Sequence, residues 1–168
     1  MKKIILAALC LSLSVMCFSG AAFGSDEAIY DCQEQLLQKY PSVEAIKKQF
    51  GAEARWREET QPSIHDPTLE LQITHMEYPG MEIDTLGYVL EGEERFFITL
   101  LAVKKAGFVT LLGVDVGSAR EEVIKTFGDP QEIDGNGLVY RDEAEFVYIK
   151  FTIEENGVAE MRYVVSLD

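Results

Sequence analysis

The sequence is poor in basic residues. Lysine and arginine together number 15 against 29 aspartate and glutamate residues, which gives a net charge of −14 at pH 7. Binding to nucleic acid requires a basic patch that neutralises phosphates, and the sequence has no such cluster. The same deficit disfavours an anionic membrane surface. The composition therefore predicts no nucleic-acid partner, and it leaves a cationic partner, a divalent ion or solubility as reasons for the acidity.

Long apolar runs are also absent, except at the N terminus. Two lysines precede an apolar run over residues 4–18, which is too short to span a bilayer comfortably, and small residues follow. This pattern predicts a signal peptide over residues 1–24, with cleavage near Gly24-Ser25. We therefore expect a periplasmic or secreted protein.

Cysteine is scarce as well. Cys10 and Cys17 follow Leu9 and Met16, whereas a lipidation signal requires a small residue before the cysteine. Only Cys32 remains after cleavage, so no disulfide can form within the mature chain. Cys32 falls on an apolar helical stripe, which favours a buried thiol; a reactive thiol or a bridge between chains is the alternative. We expect no lipid and no stable membrane anchor.

What the sequence does contain is a series of clear helix and strand signals. Helical spacing extends over residues 26–40 and again from Ser42 to Gly51, with Pro41 between them. Three strand-like runs follow, LELQITHMEY, MEIDTLGYVL and RFFITLLAV, joined by turn signals. The third run is apolar on both faces, which predicts a central strand. The preceding segment AEARWREETQPSIHDP predicts a loop or an edge strand that holds Trp56 against the core.

The most informative stretch is GVDVGSAREEVIKTFGDP, residues 113–130. Ser118 and Glu121 have the spacing of a capping box, which predicts that a helix starts there. Gly128 occupies the position where a residue of positive φ ends a helix, and Pro130 prevents the helix from continuing. The predicted buried residues of this helix are Val123, Ile124 and Phe127.

The final third predicts an antiparallel meander. DGNG at 134–137 is a turn signal, and Asn156-Gly157 predicts the hairpin between the last two strands. The predicted core face of this hairpin holds Val147, Ile149, Phe151, Ile153, Ala159, Met161, Tyr163, Val165 and Leu167. The two halves, 25–112 and 113–168, suggest pseudo-repeats of a helix plus a three-strand meander. We therefore predict one α+β domain over 25–168, with short helices packed on an antiparallel β-sheet.

The helix motif is also found in known exported domains. Its characteristic residues here are Gly113, Gly117, Ser118, Val123, Phe127, Gly128 and Pro130. Over residues 113–168 the chain resembles the SmpA/OmlA-type lipoproteins of the outer-membrane β-barrel assembly machinery and the β-lactamase-inhibitor-protein-like (BLIP-like) domains. The resemblance implies a helix-and-antiparallel-sheet fold and a non-enzymatic role through protein contacts. The lipid-anchoring cysteine of the assembly lipoproteins has no equivalent here.

Metal-binding patterns are weak. Counted from Glu132, the segment EIDGNGLVYRDE places Asp134 and Asn136 at positions of a calcium-binding loop. The first position is Glu instead of Asp, and the flanks predict strands rather than helices, so a turn without an ion is favoured. His65 and His75 lack the spacing of metal ligands. We therefore predict no metal and no cofactor.

Catalytic motifs are absent from the sequence, but neighbouring carboxylates are frequent. A hydrolase would need two carboxyl groups that face one cleft, and pairs such as Glu58-Glu59 and Glu93-Glu94 fall mostly at turns or helix starts. We assign no catalytic residue. An envelope hydrolase that uses paired carboxylates is the alternative function.

The second face of the C-terminal hairpin carries the main functional signal. Phe146 and Tyr148 alternate with the core residues of one strand, and Arg162 lies on the same face of the other. A fully solvated face seldom carries Phe and Tyr together, and aromatic residues with arginine are typical of binding surfaces. The alternative is that the N-terminal half covers this face. We predict a non-catalytic protein-binding or envelope-assembly accessory module whose partner-binding residues are Phe146, Tyr148 and Arg162.

Overall fold

The computed structural model describes residues 25–51 and 55–166. These residues form three helices and one eight-stranded antiparallel sheet, which confirms the α+β class. The helices are α1 (Ser25–Lys39), α2 (Val43–Phe50) and α3 (Arg120–Phe127), and the strands are β1 (Arg55–Pro62), β2 (Glu70–Tyr78), β3 (Met81–Leu90), β4 (Glu93–Val103), β5 (Glu132–Asp134), β6 (Gly137–Arg141), β7 (Val147–Glu154) and β8 (Gly157–Val165). The predicted leader and Leu167 lie outside the described residues.

Local signals fix the first two helices. Ser42 caps α2, because its hydroxyl accepts a hydrogen bond from the Ala45 N–H at 3.2 Å. Gly51 ends α2 at a φ of +88°, and its N–H donates to the Lys47 carbonyl at 2.9 Å. Both boundaries agree with the prediction, and α1 begins and ends one residue before the predicted range.

The strand order is β1-β2-β3-β4-β8-β7-β6-β5. Each half of the chain is a meander of four consecutive strands rather than three, and the halves join where β4 pairs with β8. β4 therefore lies in the middle of the sheet, as its two apolar faces predict. The polar segment before β2 forms an edge strand, which was one of the two predicted alternatives.

The core lies on one face of the sheet, which we call the inner face. One row of directly paired residues crosses seven strands on this face: Trp56, Met76, Ile83, Leu101, Tyr163, Ile149 and Tyr140. All of them except Trp56 belong to a single hydrophobic cluster together with buried side chains of the three helices. The helices therefore pack on the inner face.

Trp56 does not lie against the core, and that prediction is wrong. Its side chain is 51% exposed at the edge of the sheet. The Lys47 ammonium lies over the Trp56 ring, 3.4 Å from its centre, in a cation–π contact. The reason is the position of β1, which is an edge strand of the sheet, so that Trp56 has a neighbouring strand on one side only.

The start of α3 also differs from the prediction. Ala119, not Ser118, occupies the N-cap position, and Glu122, not Glu121, accepts the Ala119 N–H at 3.1 Å. Ser118 is instead tied to β8, because its carbonyl accepts from the Val158 N–H at 2.8 Å. The end of α3 agrees with the prediction: Gly128 has a φ of +78°, and its N–H donates to the Ile124 carbonyl.

The C-terminal hairpin forms with one irregularity. Glu154 pairs with Gly157, so the turn residues are Glu155 and Asn156. The register shifts after Thr152, which leaves Ala159 as an extra residue and places Val158 in the core, 2% exposed. Ala159 was predicted to be a core residue, and the bulge is the reason that Val158 takes this role.

Candidate docking surface

The face of the sheet opposite the helices, which we call the outer face, follows from the strand register. Two rows of directly paired residues cross it. The first row is Arg141, Tyr148, Val164, Leu100, Asp84, His75 and Arg57, and the second is Val139, Lys150, Arg162, Ala102, Glu82, Glu77 and Arg55. None of these residues belongs to the core cluster. Within 25–51 and 55–166, the helices therefore bury their apolar residues on the inner face only.

The predicted partner-binding residues all lie at the C-terminal half of this surface. Phe146 immediately precedes β7 and is 53% exposed. Tyr148 is half-buried on β7, directly opposite Val164 on β8. Arg162 is the diagonal neighbour of Tyr148 across the same strand pair, and its side chain is 40% exposed. The register thus brings Tyr148 and Arg162 together. Phe146 lies two residues before Tyr148, so the alternation of the strand places it on the same face.

Three cations lie around Tyr148, and each forms an ion pair with a carboxylate. The Arg141 guanidinium lies 5.7 Å from the centre of the Tyr148 ring and 2.8 Å from Glu132. The Lys150 ammonium contacts Asp134 at 2.6 Å, and Arg162 contacts Glu160 at 3.0 Å. The hydrogen bond from Lys150 lowers the pKa of Asp134. This half of the outer face is therefore an aromatic centre with neutralised arginine and lysine side chains.

Apolar side chains continue across the middle of the outer face. Leu100 on β4 is directly opposite Val164, and both are half-buried. Farther along, Leu86 pairs with Phe97 across β3 and β4 and is only 7% exposed. The Phe97 ring stacks on Tyr88 at 5.9 Å. The sequence reasoning missed this extension, because the alternation in β3 and β4 does not reveal which face the helices cover.

The N-terminal half of the outer face carries a histidine–carboxylate pair. His75 Nδ1 lies 2.9 Å from Asp84 Oδ1 across β2 and β3. Two residue pairs farther along, Glu77 stands directly opposite Glu82 on the same face. Like charges that face each other on adjacent strands destabilise the pairing. The partner of His75 comes from the next strand, so the sequence around the histidine does not reveal it.

The turn that resembles a calcium loop uses its side chains for the protein's own contacts. Asp134 binds Lys150, and the Asn136 amide donates to the Ile153 carbonyl at 2.9 Å. The turn joins β5 to β6, not two helices. In the part of the chain that the structure describes, no three His, Cys, Asp or Glu residues form a group that could hold a metal ion.

Cys32 is a buried residue of α1, as the apolar stripe predicts. Burial, with a smaller contribution from the charge of Asp31, raises the pKa of its thiol to about 12. Burial also raises the pKa of Tyr163, and the charges of the nearby Cys32 and Asp142 contribute in the same direction. The thiol is therefore protonated and shielded, which is typical of a structural cysteine.

The neighbouring carboxylates of Glu58 and Glu59 separate in space. Glu58 lies 3.7 Å from Lys47 on α2, whereas Glu59 lies 2.9 Å from Arg57 on the same strand. The alternation of a strand sends the two side chains to opposite faces. This pair therefore does not face a single cleft.

No described helix is both long enough and apolar enough to span a membrane. Comparisons with models of known protein families, with curated proteins and with solved structures find no match to this chain.

Proposed function

We propose that the chain is an exported, non-catalytic protein-binding or envelope-assembly accessory module that docks its partner on the outer face. One observation carries the proposal. The described helices cover only the inner face, and the outer face presents Tyr148, Val164 and Leu100 in one row, with the exposed Phe146 beside them. An extended sheet face with apolar and aromatic residues in its middle is typical of a protein interface.

The chemistry of this face favours a protein partner. Aromatic residues and arginine are the residue types that dominate binding hot spots, and here Arg141 lies over the Tyr148 ring while Arg162 is its diagonal neighbour. The carboxylates of Glu132 and Glu160 neutralise these arginines. A neutralised arginine is a poor phosphate ligand but an effective contact for aromatic rings and backbone carbonyls.

Three further features support the proposal. The leader pattern over 1–24 favours export without a lipid. The resemblance over 113–168 to exported domains implies work through protein contacts. The order α2-β1-β2-β3-β4, followed by α3-β5-β6-β7-β8, supports two pseudo-repeats that join into one continuous surface.

A double substitution tests the function. Phe146→Ser with Tyr148→Ser should remove the aromatic centre while the core cluster, to which neither residue belongs, stays intact. We expect the free energy of unfolding to change by less than about 1 kcal/mol, as is usual for substitutions outside the core. Each aromatic anchor contributes about 2 kcal/mol or more to a hot spot, so capture of partners from a native envelope extract should fall at least about 30-fold.

Tyr30→Ser is the matched control, because Tyr30 is an aromatic residue on α1 with a similar exposure of 55%. Partners identified by mass spectrometry should be retained by this control and lost by the double variant. Capture at the wild-type level by the double variant would contradict the proposal. A loss of several kcal/mol of stability would show that the two rings are structural and would contradict it as well.

A further inference from the structure

We infer that the outer face docks on the same face of a second copy of the chain, about a two-fold axis that runs parallel to the strands between β4 and β8. The inference rests on the proposed function in that both use the outer face, and it names one partner for that surface. It follows from the order of charged and apolar residues along the two rows of the outer face.

The axis position is set by the strand order. Four strands lie on each side of the contact between β4 and β8. A two-fold axis along this contact exchanges β4 with β8 and β3 with β7, so each row meets the same row read in the opposite direction. Val164 then faces the Leu100 of the second copy, and these two half-buried apolar residues flank the axis.

The charges of the rows are complementary under this operation. Lys150 on β7 and Glu82 on β3 occupy the same row at equal distances from the axis, so each faces the other in the second copy. In the neighbouring row, the Tyr148 hydroxyl faces the Asp84 carboxylate. Each dimer therefore has two Lys150–Glu82 contacts, in which the ammonium bridges Glu82 and the Asp134 of its own chain, and two hydroxyl–carboxylate contacts, with an apolar centre between them.

The second copy also relieves an unfavourable feature of the single chain. Glu77 and Glu82 stand directly opposite each other, and the described residues supply no salt bridge to either. Directly opposed like charges destabilise a sheet. The Lys150 of the second copy brings a cation next to this pair. Within one chain Arg55 stands directly opposite Glu77, so Lys150 of the second copy adds a cation on the Glu82 side of the pair.

The geometry of sheet packing is compatible with this arrangement. Sheets that pack face to face lie about 10 Å apart with their strands within about 30° of each other, so the rows stay matched near the axis. The inference uses only β3, β4, β8 and β7, which are the strands nearest to it.

Charge reversal provides the test. Lys150→Glu and Glu82→Lys each replace both facing ion pairs of the dimer by pairs of like charge. We expect the wild-type chain to sediment as a dimer at micromolar concentration and each single variant to sediment as a monomer, with a dissociation constant raised more than about 100-fold. An equimolar mixture of the two variants should dimerise again, because both facing pairs then join an acid to a base.

Two controls make the same changes of charge at residues that lie outside the proposed interface. Lys48→Glu on α2 and Glu155→Lys in the hairpin turn alter exposed residues that lie off both rows, and both should remain dimeric. A second measurement needs no variant. Zero-length carbodiimide crosslinking of a mixture of isotopically labelled and unlabelled wild-type chains should join Lys150 of one copy to Glu82 of the other.

Three results would overturn the dimer: a monomeric wild-type chain, dimers of either single variant alone, or a variant mixture that stays monomeric. The outcome is separable from that of the proposed function. A monomeric chain whose Phe146 and Tyr148 variant loses envelope capture overturns only the dimer. A dimer whose Phe146 and Tyr148 variant still captures other envelope proteins at the wild-type level overturns the proposed function and leaves the dimer in place.

Discussion

Gly157 is expected to be the most sensitive glycine of the chain, because the start of β8 touches the segment before α3 there. A Cβ atom at this position would lie 2.5 Å from the Ser118 carbonyl oxygen and 2.7 Å from the Gly117 carbonyl oxygen. Both oxygens belong to the backbone and cannot rotate away. The residue also has a φ of +105°, which L side chains rarely adopt.

The cost of Gly157→Ala has two parts. The positive φ costs on the order of 1–3 kcal/mol. Relief of the clash requires the two segments to separate, which breaks the hydrogen bonds from Gly117 N–H to the Val158 carbonyl and from Val158 N–H to the Ser118 carbonyl. Each such bond contributes about 1 kcal/mol. We therefore expect Gly157→Ala to lower the free energy of unfolding by about 3–5 kcal/mol.

Gly113→Ala separates the two parts. Gly113 has a φ of +87°, and a Cβ there would meet nothing within 4 Å, so only the conformational cost remains. Urea unfolding followed by circular dichroism gives both values, provided that the denaturant slope is the same. Equal costs for the two substitutions would show that β8 does not touch the segment at 117–118, and the reasoning on close contact would be wrong.

Four further outcomes are expected. Gly128→Val should cost about 1–3 kcal/mol, because its φ of +78° and ψ of −164° suit glycine alone; a neutral urea midpoint would contradict this. Cys32 should resist alkylation at pH 8 in the native protein and react after unfolding; rapid native labelling would contradict its burial. Because the folded-state pKa of Cys32 is raised from 9.0 to about 12, the unfolded chain releases its proton first, and the free energy of unfolding should fall between these pH values, less so in Cys32→Ala. Asp134→Asn should lower the melting temperature slightly in low salt and not measurably in high salt, because salt screens an exposed ion pair; thermal melts at two ionic strengths would check this.

Local signals in the sequence determined the boundaries of several elements. Ser42 caps α2 and Gly128 ends α3, since both depend on backbone groups a few residues away. Asn156-Gly157 predicts the last hairpin for the same reason. The two apolar faces of β4 predict a strand with neighbours on both sides, and β3 and β8 are those neighbours. Such features require no knowledge of the rest of the chain.

The tertiary structure decided the features that depend on distant segments. Ser118 satisfies the local rule for a capping box, but its carbonyl pairs with Val158, about forty residues on, and the helix start moves to Ala119. His75 meets Asp84 only because β2 and β3 pair in one particular register. An alternating strand pattern gives two faces without saying which one the helices cover. The outer face, and with it the role of Tyr148 and its neighbours, is therefore set by the packing of α1, α2 and α3 on one side of the sheet, and packing is a long-range property that local residue preferences do not encode.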